Sequence, residues 1–333
     1  MEKIYIKKRG FLFNGILLII LLGVIVCAGF LGTVSISFKG ILSADTERVI
    51  FMLRLKRILL GALVGGMLSV SGVIFQAVLR NPLADPYILG VSSGGGLGVV
   101  LATVLGSFFG YSGVFYLPLS GFLGSLMSVF MVKYLAQVEG RIPPQNLLLS
   151  GVVVGVILTN ILIFIVWLFE DKLLRGIIWW LLGNLEVVEN SLLLTSTLIG
   201  IFSIGFSFLF SRELNALSLG EEEAISLGID VEKTKRLLVY VASLLTATAV
   251  SLCGIVGFVG LIVPHILRFF SRNEHRLLIP SSFLGGAIFI VISDTLARTI
   301  LSPIEIPIGI ITAFIGGMVF IYLLQKKKKI VFK

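Results

Sequence analysis

The chain alternates between long runs without a charged residue and short charged interruptions. Uncharged blocks cover 11–32, 58–79, 86–132, 142–169, 190–211, 237–267, 277–293 and 306–325. A helix that crosses a bilayer needs about 20 apolar residues, so most blocks predict one spanning helix each. Block 86–132 is long enough for two, with "GSFFGYSG" as the turn. Block 237–267 is too long for one helix and short for two, and its Gly254, Gly257 and Gly260 predict a break followed by a short return helix. The pattern predicts an all-α polytopic membrane protein of about ten spans.

Composition agrees with this. Of the 333 residues, 57% are hydrophobic and 14% charged, against about 25% charged in soluble domains. With the N-terminus inside, 19 of the 27 Lys and Arg fall in inner segments and eight in outer ones. Cytoplasmic loops hold the excess of cations, so both termini are expected in the cytoplasm. The net charge of +9 then needs no nucleic acid, and the lysines at 326–329 read as an anchor beside anionic lipid. The run 11–32 is longer than the apolar core of a signal peptide, and no small-x-small cleavage site follows, so it reads as the first span.

Candidate chemistry is sparse. Cys27 and Cys253 both fall in predicted spans, which argues against a disulfide framework or a thiolate metal site, and two histidines make a metal site equally unexpected. No Pro/Ser-rich linker divides the chain, so one domain over 1–333 is expected. No Gly-x-x-x-x-Gly-Lys-[Ser/Thr] occurs, so this chain carries no phosphate loop of that kind. The 37 glycines concentrate inside the apolar blocks, where small residues let membrane helices approach closely. A weak internal repeat pairs Gly72 and Pro82 with Gly254 and Pro264, each ten residues apart.

One segment breaks the apolar pattern. The loop 211–236 contains "LNALSLGEEEAISLGIDVEKTKR" and predicts two short helices, 214–219 closing at Gly220 and 221–227 closing at Gly228. Acidic residues open the second helix at its positive end, and Ala224, Ile225 and Leu227 give it an apolar side. A fully solvated loop has no need of that side, whereas an elbow seated in a partner protein does. Near the far end of the chain, Asp294 and Arg298 stand i,i+4 on one predicted helix and can pair. An intramembrane Asp also suggests ion coupling, which keeps a secondary transporter as the alternative. Trp179 and Trp180 suit the membrane interface.

From Arg54 onward the chain runs in order through "RLKRILLGALVGGMLSVSGVIFQAVLRNPLADPYILGVSSGG", "LSLGEEEAISLGID", "GFVGLIVPHILRFF", "SDTLAR" and "EIPIGIITAFIGGMVFIYLL". In these stretches it resembles the FecCD-type permease subunits of bacterial ABC importers for iron-siderophores, haem and cobalamin. The resemblance implies a type II ABC importer permease in a prokaryotic plasma membrane, working as a homodimer. Its implied partners are two cytoplasmic ATPase subunits, which bind ATP and Mg²⁺, and an extracytoplasmic binding protein that delivers cargo. This chain itself is then not an enzyme and holds no cofactor. By the same resemblance, Leu217, Gly220, Glu221, Ala224, Leu227 and Gly228 contact the ATPase, and Arg54, Arg57 and Arg298 form a basic patch for the binding protein. The pathway is implied on the dimer axis along the fifth span, where Ser150, Thr159 and Asn160 are the polar members. Lys56 and Met318 stand where the family usually has Pro.

Overall fold

The structure is a computed structural model that describes residues 2–32, 34, 45–109, 116–169, 171–185, 189–271 and 274–331. The second half of the expected turn, 110–113, lies outside these residues, as do Lys39 and Arg272 and the side chains of Lys172, Arg175 and the lysines at 326–329. The described residues form thirteen α-helices and no β-strand. They are α1 (Glu2–Phe30), α2 (Asp45–Val78), α3 (Val91–Phe109), α4 (Tyr116–Ala136), α5 (Pro144–Leu168), α6 (Asp171–Leu181), α7 (Asn190–Leu209), α8 (Ser211–Leu219), α9 (Glu221–Ser226), α10 (Val231–Cys253), α11 (Val259–Ser271), α12 (His275–Thr299) and α13 (Ile308–Val331). Eight of these are long and apolar enough to cross a membrane, and two shorter apolar helices lie at Val259–Ser271 and Ile308–Leu323. Together they match the ten predicted spans.

Helices α2, α10 and α12 form the center of the bundle, with α2 against both others. Glycine sets how close they come. A Cβ on Gly65 would overlap the Gly286 carbonyl of α12, and one on Gly72 would overlap the Gly260 carbonyl of α11. Close backbone approach is how membrane helices gain packing energy where lipid offers no hydrophobic contrast. Gly72→Val is therefore expected to destabilise the fold by at least the roughly 1–3 kcal/mol typical of overpacking. Gly205→Ala, whose Cβ would meet nothing within 4 Å, should leave the thermal unfolding midpoint in detergent unchanged.

The glycine-marked break occurs where expected. α10 stops at Cys253, Gly254 takes φ +71°, and α11 resumes at Val259. Exposed backbone polar groups are costly in a membrane and are tolerated only where protein supplies partners. Here Tyr87, in the 3₁₀ turn Pro86–Leu89, supplies both, since its hydroxyl donates to the Val256 carbonyl at 3.0 Å and accepts from the Val256 N–H at 3.1 Å. The expected repeat is not carried into local structure. Gly72 lies within α2 and Pro82 in a turn, whereas Gly254 ends α10 and Pro264 lies inside α11. The two stretches are packing partners through Gly72 and Gly260.

The segments that the cation count places inside gather at one end of the bundle. There Gly10 meets Leu277, Phe13 stacks on Phe270, and Ile142 bonds Glu232. Arg54, Arg57 and Arg298 lie at the opposite end, beside the C-terminus of α1.

Candidate functional site: an elbow and a buried ion cluster at opposite ends

The elbow is α8 and α9 joined at Gly220. Its second helix closes as a Schellman motif, with the Ile229 N–H on the Ala224 carbonyl at 3.1 Å and the Gly228 N–H on that of Ile225 at 2.8 Å. Gly228 sits at φ +77°, a region costly to residues with a Cβ. Six of the sequence candidates therefore lie on one compact element, but they face different ways. Leu217, Gly220 and Ala224 are buried against the chain's own core, while Leu227 and Gly228 are exposed and Glu221 is half-buried. Leu217 and Ala224 hold the elbow to the bundle. The outward surface is made by Leu219, Ile225 and Leu227, which are 72%, 62% and 66% exposed, together with Glu222 and Glu223. Sequence alone could not choose between Ala224 and Ile225, because adjacent residues of a six-residue helix lie on different faces and only tertiary packing selects one.

Two further clusters fix the elbow. Asn215 of α8 donates to Glu274 at 2.8 Å and its Oδ1 accepts from the His275 backbone N–H at 2.9 Å, tying the elbow to α12. On the other side, Lys235 of α10 reaches Glu232 at 2.6 Å and Glu221 of α9 at 3.3 Å. A groove of about 690 Å³ opens there, bordered by Arg80, Arg141, Pro143, Glu221, Glu232 and Lys235.

The opposite end holds a buried ion cluster. Asp294 is 2% exposed, with Oδ1 bonded by Arg57 at 2.9 Å and Oδ2 by Arg298 at 3.0 Å. Arg57 also pairs with Glu305 at 2.8 Å. Arg54 caps the C-terminus of α1, donating to the carbonyls of Gly29, Phe30 and Val34, and Arg298 donates to that of Leu31. The expected pair of Asp294 and Arg298 is present. Of the three arginines expected to form a basic patch, Arg54 and Arg298 are buried at 7% and 3% exposure, and Arg57 is engaged by two carboxylates. Both carboxylate oxygens of Asp294 are thus held by guanidinium groups. Glu305, which the sequence reading passed over, completes the cluster from the turn after α12.

The pathway candidates lie on α5. Thr159 and Asn160 are exposed on its outer face and Ser150 is half-buried. Thr159 donates to the Ser93 hydroxyl at 2.9 Å, while Asn160 bonds the Val156 carbonyl of its own helix at 2.8 Å. Around them Val152, Val153, Val156 and Ile157 make an exposed apolar face. Among the described residues no group of three or more His, Cys, Asp or Glu could hold a metal ion. Trp179 is exposed, whereas Trp180 is half-buried and covers Gly121.

Comparison with known proteins places this geometry. The profile of the FecCD transport family matches residues 17–326. The cobalamin import system permease protein BtuC of Halobacterium salinarum is 42% identical over 85% of this chain and 75% of its own length. The hemin transport system permease protein HmuU of Yersinia pestis is 34% identical over 95% of this chain and 96% of its own. A solved ABC transporter, described as of metal-chelate type and in an inward-facing conformation, superposes with a TM-score of 0.83 at 31% identity, covering 94% of this chain and 98% of that one. The chain is a multi-pass membrane permease and belongs to the FecCD transport family.

Proposed function

We propose that the chain is the membrane subunit of an ATP-driven importer that moves a metal chelate into a prokaryotic cell across its plasma membrane. The observation that carries this reading is the elbow. Leu219, Ile225 and Leu227 present apolar surface on a charged, membrane-flanking segment, and this surface suits a cytoplasmic ATPase subunit. Nucleotide and Mg²⁺ are then bound by that subunit, one copy on each half of a homodimer. The unpartnered apolar face of α5 suits the second copy, so that cargo passes along the dimer axis by alternating access, with Thr159 and Asn160 beside it. Arg57, the most accessible arginine of the outer cluster, serves to dock an acidic binding protein. The cargo is an iron-siderophore, haem or cobalamin; relatives named for hemin and cobalamin support the class.

Uptake into ATP-loaded proteoliposomes tests this, with the binding protein outside and cyanocobalamin, haemin and ferrichrome as cargo. Uptake of one of them should require internal ATP and survive a protonophore. Uptake that follows a proton gradient without ATP would refute ATP-driven import.

A further inference from the structure

Lys235 is 2% exposed, and buried lysines are rare unless paired. An ammonium has three N–H donors, and each has an acceptor on a different part of the protein. One reaches Glu232 on the same helix at 2.6 Å. A second reaches Glu221, the first residue of α9, at 3.3 Å. The third reaches the Ile142 carbonyl at 3.2 Å. Glu232 closes the circuit by accepting from the Ile142 N–H at 2.9 Å, so both backbone groups of Ile142 are held. Ile142 lies at the end of a tight turn in which Val138 and Arg141 exchange both backbone bonds across Glu139 and Gly140, at φ +49° and +80°. Two residues further on, α5 begins at Pro144.

Resting on the elbow reading above, we infer that Lys235 is a positioning residue that transmits displacement of α9 to the base of α5. The turn is closed by two backbone bonds and Pro143 and Pro144 lock φ in the chain that follows, which gives a shift of Ile142 a short route to α5. Without Lys235, Glu221 and Glu232 face the groove and are rehydrated there. The elbow stays folded on Leu217 and Ala224 but loses its grip on Ile142.

A cargo-free test uses the assembled permease and ATPase in nanodiscs, with Cys27→Ser and a nitroxide on Gln145→Cys, which is exposed at the start of α5. In the parent protein the spectrum should respond to Mg²⁺ and a non-hydrolysable ATP analogue. In Lys235→Met the ATPase stays bound and hydrolyses ATP, while the response falls by roughly fivefold or more, the lower end of measured couplings between sites. Lys235→Arg should restore it, as a merely structural role would not require. Glu221→Gln, at a half-exposed position, should reduce the response in the same direction and serves if Lys235→Met does not fold. A response that is equal in the parent and in both variants, or absent from the parent, overturns the inference. Retention of the ATPase by Ile225→Arg would instead refute the elbow reading itself.

Discussion

Asp294→Ala is expected to destabilise the folded chain by about 3–5 kcal/mol, the cost of breaking a buried ion pair from one side. Arg57 and Arg298 approach Asp294 at 2.9 and 3.0 Å, and Arg298 is almost wholly enclosed. Removing the carboxylate leaves Arg298 without its charged partner, while Arg57 keeps Glu305, which is 41% exposed on its side chain. Asp294→Asn keeps one acceptor for a guanidinium and should fall between wild type and alanine. Glu305→Gln should cost no more than about 1 kcal/mol, as exposed pairs do. Thermal unfolding of the detergent-solubilised protein ranks the three. A small effect of Asp294→Ala would mean that the cluster is hydrated and contributes little to the fold.

Leu219→Arg and Ile225→Arg should each release the ATPase subunit and abolish ATP-driven uptake while leaving the permease folded. Both side chains are mostly exposed, so the new charge stays in water in the free chain and would be desolvated only in the proposed complex. Central interface residues contribute about 2 kcal/mol or more when removed, and affinity falls tenfold for each 1.4 kcal/mol. Loss of at least about 25-fold in ATPase binding is expected from either change, measured by surface-immobilised titration. Ala224→Arg is a poor test of docking because Ala224 is buried and the substitution would disturb the bundle directly.

Much of this architecture is legible in the order of charged and uncharged residues. Membrane crossing demands apolar length, so charge-free blocks mark helices, and the glycines at 254 and 257 mark the break between α10 and α11. The elbow's two helices are legible for a similar reason, since Gly220 and Gly228 punctuate a short amphipathic pattern. Helix ends are less so. α2 begins at Asp45, thirteen residues before its uncharged block, because a helix can run past the bilayer into a polar layer where charges are welcome.

The direction each charged side chain takes is not legible. Arg54, Arg298 and Lys235 lie in charged stretches of the sequence, yet all three are buried. Partners that decide their burial lie far along the chain, at Gly29, Phe30 and Val34 for Arg54, Leu31 for Arg298 and Ile142 for Lys235. Burial there follows from which helix ends meet in space, and periodicity within one helix carries no record of it. The i,i+4 pair of Asp294 and Arg298 is the part that could be foreseen, since both members share one helix face.

The most direct test of the central claim places a photo-crosslinking amino acid at Ile225 in the intact importer in its native membrane. A crosslink to the ATPase subunit is predicted from Ile225 and from Leu219, and none from Met127, which is exposed on the apolar side of α4. Crosslinks from Ile225 to lipid alone, with the ATPase absent, would contradict the account.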